Sequence, residues 1–282
     1  MTPKTWFITG ASAGFGRRLT ELLLARGDAV AATARQPAAL QDLAGRYPQR
    51  LWTAALDVTD TAAIRDVVGE AFSRHERIDV IVSNAGYGLF GAAEEVTDEQ
   101  IARQVATNLL GSIQLARAVL PHLRAQGGGR LIQLSSLGGQ VAQPGFSLYH
   151  ATKWGIEGFC EALRSEVAPF GIGVTLVEPA GARTDFGARS MAMGDPIEAY
   201  ASGPVGQARA IITGEADIDV ATLMRADPIK IAWAIIDSAD VSPAPRRLPL
   251  GGSAYELAVA ALRERVVELE AARDLAYSAD IT

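Results

Sequence analysis

The chain has 282 residues, 49% of them hydrophobic and 21% charged, with a formal net charge of −6. That balance is ordinary for a globular protein, and the absence of any lysine/arginine run excludes a nucleic-acid tract or a basic membrane patch. No apolar run approaches the ~18 residues of a spanning helix.

A strand-like run starts almost at once, so no signal peptide is expected. Cys160 is the only cysteine and has no internal disulfide partner, which predicts a reducing, cytoplasmic setting. His75, His122 and His150 are scattered, and no metal-ligand spacing occurs.

Residues 5–9 form a short apolar run that ends in glycine and predicts a buried parallel strand. A helix follows over 15–26 with Leu19, Leu22 and Leu23 on one face. Strand 29–33, a helix over 37–46 opened by Pro37, and strand 51–55 come next. Thr59-Asp60 caps a helix over 60–74. A fourth strand is expected over 78–82. A long helical region over 97–125 is expected to break near Leu109–Gly111 and to stop at Gly127-Gly128-Gly129. Strand 130–134, a helix from Ser147 to about Ala168 and strand 173–177 follow. Residues 180–226 break the rhythm, with one helical piece near 196–212. A helix over 228–238, a strand at 248–250 and a helix over 254–272 close the chain. Strands alternate with helices throughout, which implies an α/β fold with a parallel sheet covered on both faces and right-handed crossovers. No linker, repeat or low-complexity tract interrupts it, so one domain over 1–282 is expected.

Two stretches carry chemistry. Thr9-Gly10-Ala11-Ser12-Ala13-Gly14-Phe15-Gly16 joins the first strand to the first helix. Its glycines allow a tight turn and close approach of a ligand, and the helix start suits a pyrophosphate. The second strand ends in Ala34-Arg35 with no carboxylate, and a guanidinium there suits a ribose 2′-phosphate. NADP(H) is therefore expected over NAD(H). Arg17 could reach the phosphates or lie on a wet helix face. The second stretch is Tyr149-His150-Ala151-Thr152-Lys153, which puts a phenol and an ammonium on one helical face.

These motifs, with Leu56-Asp57-Val58, Asn84-Ala85-Gly86, Asn108, Ser135-Ser136 and Glu178-Pro179, resemble the short-chain dehydrogenase/reductase family over nearly the whole chain. The resemblance implies a single Rossmann-type doubly wound domain with a seven-stranded parallel sheet. It implies cofactor contacts from Gly10, Ser12, Ala13, Gly14, Phe15, Gly16, Arg35, Asp57, Val58, Asn84, Ala85, Gly86, Pro179 and Thr184. Asp57 resembles the adenine contact and Thr184 the nicotinamide contact. The resemblance also implies a catalytic set of Asn108, Ser136, Tyr149 and Lys153, the last two also touching the cofactor. Ser136 stands thirteen residues before Tyr149, which favours it over Ser135. Thr152 replaces a common serine, and Ala180 a usual glycine. Relatives pair through long helices, so a homodimer or homotetramer is expected.

The reaction implied is reversible hydride transfer between a nicotinamide and a carbonyl or secondary alcohol. Free tyrosine titrates near ~10, so acid/base work near neutrality needs a shift of about 2–3 units, or ~3–4 kcal/mol. One cation at ~4 Å supplies ~1 kcal/mol in water and ~4 kcal/mol at an effective dielectric of ~20. Lys153 suffices only where water is excluded, which assigns 180–226 as a substrate-binding lid. Tyr87–Phe90, Val141, Gln143, Phe146, Phe186, Met191 and Met193 are expected to line an apolar pocket for a neutral small molecule. A non-catalytic redox sensor or scaffold is the alternative, and its signature would be loss of Tyr149 or Lys153. An epimerase or dehydratase on a nucleotide sugar would usually need a larger C-terminal domain.

Overall fold

The computed structural model describes residues 2–182, 190–218 and 224–281. Seven strands form one all-parallel sheet: β1 Thr5–Thr9, β2 Ala29–Ala34, β3 Leu51–Ala55, β4 Val80–Ser83, β6 Gly129–Leu134, β7 Ile172–Pro179 and β9 Arg247–Leu250. Their order is β3-β2-β1-β4-β6-β7-β9. The order reverses between β1 and β4, where a doubly wound sheet opens a crevice beyond its strand ends.

The alternation along β1 shows why the sheet is covered twice. Trp6 and Ile8 pack with Leu19 and Leu23 of helix α1 (Gly14–Arg26) and with Ile231 and Ile235 of α8 (Pro228–Ser238). Phe7 points the other way, onto Ile64 of α3 (Thr61–Arg74), Leu115 of α5 (Gly111–Ala125) and Ile156 of α6 (Ser147–Val167). Helix α2 (Gln41–Arg46) follows a short 3-10 turn at Pro37–Leu40.

Several boundaries differ from expectation. β4 starts at Val80 and not at 78, because the Asp79 side chain takes the N–H of Thr5 at 2.9 Å. The expected break near Leu109–Gly111 is a π turn over Ala106–Leu110, and it joins α4 (Asp98–Val105) to α5 without ending the helix. The helical piece expected near 196–212 is a 3-10 turn at Glu198–Tyr200 followed by α7 (Pro204–Thr213). Unforeseen is a second, two-stranded parallel sheet of β5 (Gly88–Phe90) and β8 (Met191–Met193). The last helix, α9 (Gly252–Ala271), continues into a short α10 (Arg273–Ser278).

Phe7→Ala should remove about 3–5 kcal/mol of stability, since Phe7 is fully buried in a central strand. Urea unfolding measures this.

Candidate active site

The glycine turn sits at the sheet reversal. Gly10 and Gly14 both have positive φ, 65° and 53°. A Cβ on Gly16 would lie 2.4 Å from the Gly10 carbonyl oxygen and 2.6 Å from Asn84 Nδ2, so only glycine fits. Ala13 stands at the N-cap of α1 with no side-chain cap, and the first turn carries no acid. The free N–H groups and the positive dipole there have no side-chain acceptor, which fits a phosphate group. Asn84 ties the turn to β4: its Nδ2 donates to Thr9 O at 2.8 Å and Gly10 O at 3.1 Å. The backbone N–H groups of Asn84 and Ala85 donate to Thr9 Oγ1 at 3.0 and 3.1 Å. Phe15 packs on the core below, and Ser12 is half-buried.

Arg35 follows β2 as an exposed residue and makes no ion pair among the described residues. Arg17 pairs with Glu21 at 2.9 Å and Asp42 at 2.5 Å on the flank of α1. The Thr59 N–H and hydroxyl, at 3.0 and 2.8 Å, hold the Asp57 carboxyl below its ordinary range against a burial penalty, with Arg35 and Arg103 adding to the effect. Val58 is buried beside it. Pro179 ends β7 opposite Leu250. Thr184 and Phe186 lie outside the described residues.

The end of β6 meets α6 residue by residue. The Ser136 hydroxyl hydrogen-bonds the Tyr149 phenol. Lys153 Nζ donates to Leu134 O at 2.9 Å and lies 5.6 Å from the Tyr149 ring centre. Ser135 turns the other way and donates to Glu157 at 2.5 Å, which leaves Ser136 as the serine facing the tyrosine. The expected downward shift of the phenol is reversed here. Burial pushes Tyr149 up to about 12, opposed by Ser136, and pushes Lys153 down to about 8, opposed by the Glu157 charge. Desolvation disfavours both charged forms at once.

Asn108 lies in the π turn, and its side chain grips one peptide. Its Oδ1 accepts from Tyr87 N at 3.0 Å and its Nδ2 donates to Tyr87 O at 2.8 Å. Gln104, one turn earlier and fully buried, donates to the same carbonyl at 3.1 Å. Two amides four residues apart thus fix the loop that leaves Gly86. Nothing in the sequence singled out Gln104, although the (i, i+4) spacing to Asn108 was available.

The family profile described as short chain dehydrogenase matches residues 4–194. The chain belongs to the short-chain dehydrogenase family. It is 38% identical over 256 residues to oxidoreductase BOA17 of Botryotinia fuckeliana, covering 90% of this chain and 91% of that one. It is also 38% identical over 186 residues to a 3-ketodihydrosphingosine reductase of Bacteroides thetaiotaomicron, covering 66% of each. A solved short-chain dehydrogenase from Streptomyces avermitilis superposes with a TM-score of 0.89 at 38% identity, covering 100% of both chains. ElxO with NADP bound shares the fold, with a TM-score of 0.74 at 21% identity over 90% of this chain and 100% of that one.

In this short-chain dehydrogenase the walls around Tyr149 come from distant segments. Phe146 meets the Tyr149 ring edge-on at 6.2 Å and Phe90 at 5.1 Å. Arg209 of α7 covers Phe90 at 5.2 Å and pairs with buried Glu95 at 2.6 Å. Gln100 donates to Met193 O at 3.0 Å, so β8 is held from α4 as well as from β5. The excursion after β7 leaves at Ala182 and rejoins at Ala226, where the two form a parallel bridge. His150 braces the other wall: Nε2 accepts from Gln143 N at 3.0 Å and Nδ1 meets Gly138 O at 2.8 Å. An accepting Nε2 leaves Nδ1 as the donor, so the ring is neutral, and burial keeps its pKa below the ordinary 6.5. Cys160 is buried, and burial pushes its thiol up to about 12, so it serves packing.

Burial works against ionisation of Glu95, yet the N–H groups of Ile197 and Ala92 and the Arg209 guanidinium hold it below its ordinary 4.5. A depressed carboxyl stabilises above the ordinary value and loses that contribution as pH falls through the lower folded one. Arg209→Met should therefore raise amide hydrogen exchange over 190–213 at neutral pH. The wild type should show the same loosening only in acid.

Proposed function

We propose that the chain is an NADP(H)-dependent oxidoreductase acting on a neutral, fairly apolar ketone, aldehyde or secondary alcohol. The observation that supports this best is the line of Ser136, Tyr149 and Lys153 beside a glycine turn whose helix start has no acid or cap of its own. The fit of the cofactor rests on that turn and on the exposed Arg35 beside Asp57. When bound, the nicotinamide supplies or accepts the hydride.

The chain's own residues do the rest. Gly10, Gly14 and Gly16 bring the backbone close to the pyrophosphate, with Ser12, Ala13 and Phe15 completing the turn. Arg35 takes the 2′-phosphate, Asp57 and Val58 the adenine, and Asn84, Ala85 and Gly86 line the ribose. By the family resemblance, Pro179 and Thr184 would contact the nicotinamide. Tyr149 Oη gives its proton to the substrate oxygen in reduction and takes it back in oxidation. Ser136 donates to the same oxygen and steadies its developing charge. Lys153 holds the ribose hydroxyls and favours the tyrosinate. Asn108, with its side chain committed to Tyr87, joins a proton relay only through its backbone carbonyl, which already accepts from Ser112 Oγ at 3.2 Å and has a second lone pair. The region 180–226 acts as the lid of one cofactor- and substrate-binding unit spanning 1–282. The apolar walls at Phe90, Phe146, Met191 and Met193 favour an uncharged substrate. We place the working enzyme in the cytoplasm as a homodimer or homotetramer.

Tyr149→Phe should keep NADPH affinity within a few-fold and lose on the order of 10²–10⁴ in kcat. A panel of ketones and aldehydes, followed by NADPH absorbance, measures this, and a variant with wild-type rate would refute the acid role. NADPH should bind more tightly than NADH, with the gap closing in Arg35→Ala; equal binding of the two by the wild type would refute that assignment. Lys153 must be protonated to hold the ribose, so NADPH affinity should weaken as pH rises through about 8. Fluorescence titration between about pH 7 and 9.5 should show this slope in the wild type and none in Lys153→Met.

A further inference from the structure

Three consecutive residues at the end of β6 are each held by one turn of α6. Ser136 meets Tyr149, the Leu134 carbonyl meets Lys153, and the Ser135 hydroxyl meets Glu157 at 2.5 Å. The first two rungs belong to the reaction already proposed. The third has no role in it, although Glu157 is 4% exposed and sits one turn beyond Lys153.

Glu157 also accepts from the Gln140 side chain and pairs with Arg247 of β9 at 2.5 Å. Arg247 in turn reaches Glu178, at the end of β7, and Glu161 at 2.7 Å. The turn after Ser136 closes tightly over the carboxylate. A Cβ on Gly139 would lie 1.9 Å from Glu157 Oε1. Arg265 of α9 donates to the Gln140 carbonyl and holds the far end of this turn.

We infer that Glu157 is a positioning residue of the reaction. Its carboxylate, anchored by Arg247, locks the end of β6 so that Ser136 meets Tyr149, and its charge keeps Lys153 cationic. The inference rests on the oxidoreductase reading for its kinetic consequence but not for its electrostatic one. The helix of Lys153 itself carries Tyr149, His150, Glu157, Glu161, Arg164 and Glu166, Glu178 of β7 and Arg247 of β9 stand behind Glu157, and Arg265 of α9 lies over the neighbouring Trp154. The turn after Ser136 and strand β5 carry no charge. Helices α4 and α5 carry Asp98, Glu99, Arg103, Arg117, His122 and Arg124 at exposed or half-exposed positions.

The test uses the fact that the chain has only three lysines, Lys4, Lys153 and Lys230. NMR of lysine labelled with 13C at Cε resolves each titration, with Lys153→Met giving the assignment. In Glu157→Gln the Lys153 titration should fall by about one pH unit while those of Lys4 and Lys230 stay put. An unshifted Lys153 would overturn the electrostatic part. In Ser135→Ala every charge remains, so the titration should not move, but kcat should fall about tenfold with the NADPH KM unchanged. A wild-type kcat in Ser135→Ala would overturn the register part, and this variant carries that arm where Glu157→Gln folds poorly. A wild type that binds NADPH yet reduces no carbonyl would sink the oxidoreductase reading and, with it, the kinetic part. The titration would still decide what Glu157 does to Lys153.

Discussion

A cation buried at the end of a central strand is the constraint on which the rest of this site depends. Lys153 is 7% exposed, and its ammonium donates to the Leu134 carbonyl. Burying a charge without compensation is expensive, and a lysine so placed tends to give up its proton. The value of about 8 shows that tendency only partly resisted. Glu157, one turn along α6, supplies an opposing charge, and it is itself buried and paired with Arg247. The compensation therefore runs from α6 through β9, and the last strand of the sheet becomes part of the active site's electrostatics.

Tyr149 feels the same dry surroundings with the opposite sign of proton balance. Burial disfavours both charged forms, so the phenol stays neutral at about 12 while Lys153, at about 8, is still mostly protonated near pH 7. Burial thus outweighs the lysine's charge at the phenol, where the simple estimate has one cation at ~4 Å prevailing. The ring-to-ammonium distance of 5.6 Å and the lysine's bond to Leu134 weaken the pairing further. Tyrosinate becomes affordable when an additional positive charge enters, and an oxidised nicotinamide carries one. In the reduction proposed above, a neutral phenol would already be the proton donor.

Local patterns revealed most of the frame. The strand and helix alternation, the glycine turn and the Tyr149–Lys153 spacing all rest on residues within one or two turns of each other, where periodicity is informative. What stayed hidden depends on distant partners. Glu157 meets Arg247 and Glu95 meets Arg209 across about a hundred residues of chain, and no local pattern marks either pair. The strands β5 and β8 have three residues each, too short for alternation to show. The π turn was visible only as a weakness near Leu109, because one extra residue in a helical turn leaves the apolar pattern nearly intact.

The lid requirement links these two sets of features. A proton-transfer pair that works only in a low dielectric needs walls that keep water out and still open for substrate. Phe90 and Phe146 form an edge-to-face series ending on the Tyr149 ring, an apolar wall next to that phenol. Arg209 lies on the outer face of Phe90, and its charge is matched by Glu95 from the segment after β5. One ion pair thus couples the position of α7 to the aromatic wall. Because Glu95 also accepts the N–H groups of Ala92 and Ile197, its carboxylate joins both ends of that coupling. A change that releases Arg209 would uncover Phe90 and alter the dielectric around Tyr149 without touching the proposed catalytic residues.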